Sequence, residues 1–358
     1  MIYHILNTTS TYPARFVDFL VKYRQAFDLD RHFFIFTGTN LSRFSSLSSV
    51  RYDVSPHLHP GLFRYFLRSK TGDRFIIHGL QDPRLYLILS CETYARRSVW
   101  SIWGGDLYFG LQPQTSFKYK LYEALRKKAI RCLGGIVCVV PGDIALAQKK
   151  YGHTGKTFHA AYPTTLVCSS DLPASSKKTL FIQVGNSADD SNRHIEVFRM
   201  LSRYASEDIR IYCPLSYGQS WGGKKNEYVK KVVEQGYMLF GKKFYPLLDF
   251  MPPEEYATYL ASLDVLVFFH DRQQGLGNLF PMLMMGKKVF LKSTTTTYRY
   301  LHDLGVVIYD SFEIPSLDFI TFASCREEDK QKNKNIISHE LAEENLVRQW
   351  LQVCNAEL

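Results

Sequence analysis

The sequence predicts an α/β protein of two Rossmann-like domains closed by a C-terminal helix. Three observations predict it. Short apolar runs alternate with helix-like stretches, the alternation restarts after a Ser-rich segment holding Pro173, and 358 residues exceed what one core usually serves. The expected division is an N-terminal domain over 1–168, a linker over 169–178, a second domain over 179–325 and a terminal helix over 335–357.

In the first domain Met1 to Leu6, Phe33 to Phe36, Arg74 to His78, Ser98 to Trp103 and Gly135 to Val140 read as strands. Pro13 to Phe27, Pro83 to Cys91, Phe117 to Leu133 and Asp143 to Tyr151 read as helices between them, the pattern of a parallel sheet. The second domain repeats it with strands Thr179 to Val184, Ile209 to Cys213, Tyr237 to Leu239, Tyr245 to Leu248, Asp264 to Phe269 and Lys288 to Leu291. Its helices are Arg193 to Tyr204, Asn226 to Gln235, Pro253 to Leu263 and Asn278 to Met285. A charged loop, Arg326 to Lys334, and a helix-like stretch, Ile336 to Val353, close the chain.

Apolar residues at 46% and aromatics at 15% are ample for two cores and exclude a disordered chain. No apolar run approaches the roughly 18–20 residues of a membrane span, and Met1 to Ser10 lacks a secretory pattern, so a cytosolic setting is expected. Seven scattered cysteines without a Cys-x-x-Cys pair argue against zinc or a disulfide framework. Charge is uneven: residues 1–170 hold 22 Lys/Arg against 10 Asp/Glu, hence +12, while residues 171–358 hold 22 against 24, hence −2. That asymmetry points to an anionic partner meeting the first half alone, either a polyanion or a membrane surface. Basic residues interleave with aromatics in Phe63 to Lys70, Tyr94 to Trp100 and Phe117 to Arg131, a mixture used at lipid headgroups; a plainly solvated basic face is the alternative.

The most informative segment is His270-Asp271-Arg272-Gln273-Gln274-Gly275-Leu276-Gly277-Asn278, which joins a buried apolar run to a helix. A strand, a glycine turn and a helix N-terminus present free N–H groups and a positive dipole end, which is a phosphate seat. Gly275 and Gly277 let backbone approach a ligand, Arg272 can bridge phosphate oxygens, and Gln273, Gln274 and Asn278 add donors. Ligands of doubly wound domains bind beyond strand carboxyl ends. The loops Gly185 to Asn192, Pro214 to Gly218 (with Tyr217) and Asp249 to Pro252 follow strands in the same domain, so a nucleotide-diphosphate site explains four loops at once.

Leu248 to Val289, with Gln274-Gly275-Leu276-Gly277, resembles the donor-binding half of GT-B glycosyltransferases, whose two Rossmann-like domains face one another across a cleft. Retaining members often carry Glu where Gln274 and Met282 stand; both carboxylates are absent here. Ile102-Trp103-Gly104-Gly105-Asp106-Leu107-Tyr108, Val184-Gly185-Asn186-Ser187 with Asp190-Ser191-Asn192 and His194, and Arg272 to Gly277 together resemble the TDP-4-acetamido-4,6-dideoxygalactose (Fuc4NAc) transferase family of enterobacterial common antigen assembly. The likeness spans most of residues 70–290, including His78-Gly79 and Gly142-Asp143. It implies transfer of a deoxysugar such as Fuc4NAc or a fucose-like sugar from a nucleotide diphosphate donor, TDP favoured. The implied acceptor is an undecaprenyl-diphosphate-linked saccharide, on the inner face of the cytoplasmic membrane and met through the basic first half.

Gly185, Asn186, Ser187, Asn192, Tyr217 and the Arg272 loop are then expected to hold the donor without a metal or cofactor, since fixed donors can neutralise the leaving diphosphate. The one Asp-x-Asp, Asp28-Leu29-Asp30, follows a helix rather than a strand. Asp106 is the first choice for the base that takes the acceptor proton and His78 the second. Their alternatives are a turn or N-cap carboxylate and a structural histidine. Met282 in place of Glu suits a nucleoside lacking one ribose hydroxyl. A nucleotide-binding oxidoreductase is disfavoured because Asn7-Thr8-Thr9-Ser10, not Gly-x-Gly-x-x-Gly, follows the first strand; a nucleic-acid binder would leave the glycine loops without purpose.

Overall fold

In the computed structural model the residues described are 1–8, 12–56, 60–108, 117–163, 179–218 and 225–358. The expected linker, 169–178, lies outside them. The chain divides into two compact units, Met1–Thr165 joined by Leu341–Leu358, and Leu166–Glu340.

The first unit has seven parallel strands: β1 (Ile2–Leu6), β2 (His32–Phe36), β3 (Tyr52–Val54), β4 (Arg74–His78), β5 (Ser98–Ser101), β6 (Gly135–Cys138) and β7 (Lys156–His159), in the order β3-β2-β1-β4-β5-β6-β7. The second has six: β8 (Leu180–Val184), β9 (Ile209–Pro214), β10 (Phe244–Leu247), β11 (Val265–Val267), β12 (Lys288–Leu291) and β13 (Tyr309–Asp310), in the order β10-β9-β8-β11-β12-β13. Chain order reverses between β1 and β4 and again between β8 and β11. At such a reversal the crossover helices diverge to opposite faces and leave a crevice beyond the strand ends, so each unit has one ready-made ligand position. Near-continuous apolar strands, such as β11 with all three residues buried, follow from helices covering both sheet faces.

Three expectations are corrected. Tyr237 to Leu239 is the end of a helix, Lys225–Phe240, not a strand; Gly236 there lies where a Cβ would come within 2.4 Å of the Phe244 ring. Arg326 to Lys334 is largely helical within Glu327–Glu340, not a loop, because its inner face is polar: Asn333 accepts from Val307 N at 2.7 Å and donates to Val307 O at 2.8 Å. The closing stretch is two helices, Glu327–Glu340 and Glu343–Cys354, and the latter belongs to the first unit. Trp350 anchors it, fully buried with Nε1 donating to Ala161 O at 2.8 Å. β3, β7 and β13 escape the periodicity reading because each has only two to four residues, half of them or more exposed or half-buried. No helix among the described residues is long and apolar enough to cross a membrane.

Candidate active site

The crevice beyond β8 and β11 collects most of the nominated donor-binding residues. Gly185 follows β8 with φ +65° and donates its N–H to Val267 O at 3.1 Å, tying the loop to the end of β11. A Cβ there would stand 2.4 Å from His194 Nε2, so only glycine fits. Asn186 donates from Nδ2 to the Tyr217 hydroxyl at 3.1 Å and accepts at Oδ1 from Gln274 Nε2 at 2.9 Å. Gln274 also accepts from Ser191 Oγ at 3.0 Å, so loops after β8, β9 and β11 are stitched side chain to side chain. Asn192 Nδ2 bonds Ser187 Oγ at 3.1 Å and Asp189 O at 2.9 Å, while its Oδ1 accepts from Asn186 N at 3.0 Å. Asn192 therefore holds the loop from inside, a structural duty beside the expected contact with ligand.

Gly275, at φ +69°, caps the helix Leu276–Met284, whose first turn includes Gly277 and Asn278. Arg272 lies beside Asp189, Nη2 to Oδ2 at 3.6 Å, and stays partly open to solvent. Five buried polar atoms of these loops and of the helices that follow them have no hydrogen-bond partner: His194 Nε2, both ring nitrogens of His270, Gln273 Oε1 and Asn278 Nδ2. Buried donors and acceptors are nearly always paired, so Gln273 and Asn278 carry hydrogen-bonding capacity that the protein itself does not meet, while His194 Nε2 is packed against Gly185. Burial drives the pKa of His194 and of His270 down to about 3, His270 with the added charge of Arg272; both rings are neutral near pH 7. Met282 is fully buried within its helix, and core packing accounts for its apolar character.

Asp106 and His78 sit in the other unit. Asp106 is buried and its carboxylate is saturated by N–H donors: Trp103 N at 2.9 Å and Leu107 N at 3.1 Å on Oδ1, Leu80 N at 2.8 Å and Trp100 Nε1 at 2.7 Å on Oδ2. Four donors occupy the acceptor positions of both oxygens; the turn-carboxylate alternative is the one the geometry favours. His78, at the end of β4, lines a small recess with Asn7, Thr37, Gly79, Asp82 and Trp103, whose Nε1 is buried and unpartnered.

Behind His78 runs a histidine relay that motif reading misses. His32 Nε2 donates to Phe27 O at 3.0 Å, His4 Nε2 to His32 Nδ1 at 2.8 Å, His78 Nε2 to His4 Nδ1 at 3.1 Å, and the Tyr162 hydroxyl to His78 Nδ1 at 3.0 Å. A carbonyl only accepts, so the Phe27 end fixes every tautomer along the row. Burial lowers all three pKa values, His78 to about 3, His32 to about 4 and His4 well below the ordinary histidine range. The signal was in the register: Ile2 pairs His32 and Leu6 pairs His78, so the three histidines share one sheet face with His4 between them. His194, already part of the motif around Asn192, is joined to the Tyr228 hydroxyl at 2.9 Å, and Tyr256, within the stretch that resembles the donor-binding half, donates to Asn278 Oδ1 at 3.1 Å.

Among the described residues no group of three or more His, Cys, Asp or Glu is placed to hold a metal ion. Asp28 of the Asp-x-Asp adopts φ +48° and lies 3.9 Å from Arg31.

The chain is similar in fold to solved glycosyltransferase structures. A glycosyltransferase of Rickettsia africae matches with a TM-score of 0.68 at 11% identity, over 99% of this chain and 97% of that one. HepE of Anabaena, solved in complex with UDP-glucose, matches at 0.68 and 13% identity over 98% of each. WaaG, a glycosyltransferase involved in lipopolysaccharide biosynthesis, matches at 0.64 and 11% identity over the whole of both. A family model, 4-alpha-L-fucosyltransferase glycosyl transferase group 56, matches residues 10–355. Two doubly wound parallel units of GT-B-like fold, with nearly the whole chain inside that family model, lead to one conclusion: the chain belongs to the 4-alpha-L-fucosyltransferase family of glycosyl transferase group 56 and is a nucleotide-sugar-dependent glycosyltransferase.

Proposed function

We propose that this glycosyltransferase moves a deoxysugar, Fuc4NAc or a fucose-like relative, from a TDP donor to an undecaprenyl-diphosphate-linked saccharide during bacterial surface polysaccharide synthesis. The observation that carries the donor assignment is the crevice beyond β8 and β11, where Gln273 Oε1 and Asn278 Nδ2 are buried without partners beside a glycine-capped helix start. Its N–H groups and dipole end stabilise charge that grows on the leaving diphosphate as the sugar–oxygen bond breaks. Gly185, Asn186 and Ser187 approach from the other side of the same crevice. Arg272 moves from Asp189 to the phosphates, exchanging one carboxylate for a more highly charged partner.

For the acceptor, His78 is assigned to receive the hydroxyl proton at Nδ1, in place of the Tyr162 hydrogen bond, and Asp106 to position the Trp103 and Leu80 backbone around the recess. The basic first half is assigned to the inner membrane face, where a lipid-linked acceptor resides; the charge of +12 over residues 1–170 supports this.

The test is a thermal-shift series with TDP, UDP, GDP, NAD and an oligonucleotide, followed by mass spectrometry of lipid-linked saccharide incubated with TDP-sugars. TDP stabilising most, and a sugar-mass increment on the lipid product, is the expected result. Stabilisation by NAD or oligonucleotide instead of nucleoside diphosphates would refute it.

A further inference from the structure

A large cavity in the first unit lies away from the strand ends that carry both crevices described above. It has a volume of about 950 Å³ and sits where β5, β6 and β7 begin: Arg96, Gly134, Gly155 and Lys156 line it, together with the last turns of the helices Phe117–Cys132 and Pro141–Tyr151. Six cationic side chains face it, Arg96, Lys127, Arg131, Lys149, Lys150 and Lys156, against one carboxylate side chain, Glu92. Arg96 pairs with Glu92, and Lys150 lies 3.6 Å from Glu123. The other four have no carboxylate partner among the described residues.

Arg131, Lys149 and Lys150 occupy last helical turns, where carbonyl ends favour positive charge, so each has a local reason to be there. Lys127 and Lys156 lie outside those last turns. Burial pushes the pKa of the Lys150 amine down, Glu123 pushes it back up, and the charges of Arg126 and Lys127 push it down. A concave surface focuses the potential of these cations, and like charges persist at such density where an anion offsets them. Guanidinium groups grip phosphate oxygens bidentately and ammonium groups serve as point charges beside them.

We propose that this cavity binds a ligand bearing two or more phosphate groups, at a place separate from the donor crevice. Because the cavity opens at the amino ends of the strands, its occupant is an anchoring or regulatory ligand rather than a reactant. The shared chemistry is clustered phosphate, whether on a soluble polyphosphate or on a phospholipid headgroup.

The experiment uses the full chain, the triple variant Lys127→Gln/Arg131→Gln/Lys149→Gln, and Arg272→Ala as a donor-crevice control. All three glutamine positions are solvent-exposed, so folding is retained; Arg96→Gln/Lys156→Gln serves as a second probe should the triple variant melt early. One arm adds inorganic tripolyphosphate and reads melting temperature. The other sediments phosphatidylcholine vesicles with and without cardiolipin, whose headgroup carries paired phosphates. A soluble ligand raises the melting temperature of parent and Arg272→Ala alike by about 5 °C, and the shift falls by at least half in the triple variant. A membrane ligand gives cardiolipin-dependent sedimentation that drops about tenfold in the triple variant. Equal behaviour of parent, triple and double variants in both arms overturns the proposal, as does a tripolyphosphate shift lost in Arg272→Ala.

Discussion

Replacing Gly185 by alanine tests the donor crevice where its geometry is least forgiving. Two costs add. An L-residue at φ +65° pays roughly 1–2 kcal/mol for the left-handed conformation. The new Cβ also falls 2.4 Å from His194 Nε2 and 3.0 Å from Asn192 Oδ1, both on fully packed side chains, an overpacking worth about 1–3 kcal/mol. Gly241 separates the two, because it lies in the same unit at φ +52° with nothing within 4 Å of its own hypothetical Cβ. Gly241→Ala should therefore report strain alone and Gly185→Ala strain plus contact. At roughly 2–4 °C per kcal/mol for a unit of this size, the expected drops are about 5 °C and about 10 °C. His194 is held at Nδ1 by Tyr228, so it cannot swing aside, and the loop must move instead. That displacement shifts Ser187 and the Asn186 side chain, both assigned to the donor in the proposed function, so TDP affinity should fall at least tenfold in Gly185→Ala and remain unchanged in Gly241→Ala. Thermal melts paired with isothermal titration of TDP read both quantities. A Gly185→Ala protein that melts no lower than Gly241→Ala, or binds TDP within twofold of the parent, refutes the reasoning.

Asp106→Asn turns one acceptor oxygen toward donors as an NH2 group, so the melting temperature should fall with a loss of about 2–4 kcal/mol, measured by circular dichroism; an Asn variant as stable as the parent but inactive would restore Asp106 as a base. Gln274→Glu keeps the acceptor for Ser191 but sets an oxygen against Asn186 Oδ1, and should weaken TDP binding several-fold by titration. His32 and His78 have folded pKa values of about 4 and about 3, below the unfolded value, so their contribution is whole above about pH 6.5 and is lost as pH falls toward 3–4; His4 is shifted in the same direction. Melts at pH 7 and pH 5 should differ by about 2 kcal/mol for each of His32 and His78, and His78→Asn should remove one such share. With His78 near pKa 3, the pH–rate profile should lack a limb between pH 6 and 7; a limb there that vanishes in His78→Asn would contradict the neutral relay. Chelator should leave turnover unchanged, and activity abolished by chelator and restored by one divalent ion would overturn the metal-free donor site.

What was legible in the chain was local. A glycine after an apolar run, directly at Gly185 and past His270 to Gln274 at Gly275, followed by a helical stretch, marks a strand end, a left-handed turn and a helix N-terminus, so both loops could be read without knowing which strands pair. The site's other half is non-local. His4, His32 and His78 are separated by 28 and 74 residues in the sequence, and they become one hydrogen-bonded row only because β1 lies between β2 and β4 at a particular register. The same limit misjudged Asp106: as a residue after two glycines it looks available, and only folding brings Leu80 N and the Trp100 indole onto it.

Charge shows the distinction most clearly. The excess of +12 over residues 1–170 is plain in the sequence, but its address is not, because helical-wheel reasoning over Phe117 to Arg131 finds no charged side. Folding sorts those cations by a different rule. Parallel strands all begin at one sheet edge, and the helices between them all end there, so residues as far apart as Arg96, Arg131, Lys149 and Lys156 converge without sharing a helix face. In a doubly wound unit the carboxyl edge of the sheet therefore inherits glycine loops and helix starts, and the amino edge inherits helix ends with their compensating lysines and arginines. The two proposed anion sites therefore rest on different physics, backbone N–H groups at the carboxyl edge of the second unit's sheet and side-chain cations at the amino edge of the first unit's. Neutralising the amino-edge lysines should leave donor affinity intact, and disturbing the carboxyl-edge glycines should leave the basic cavity intact.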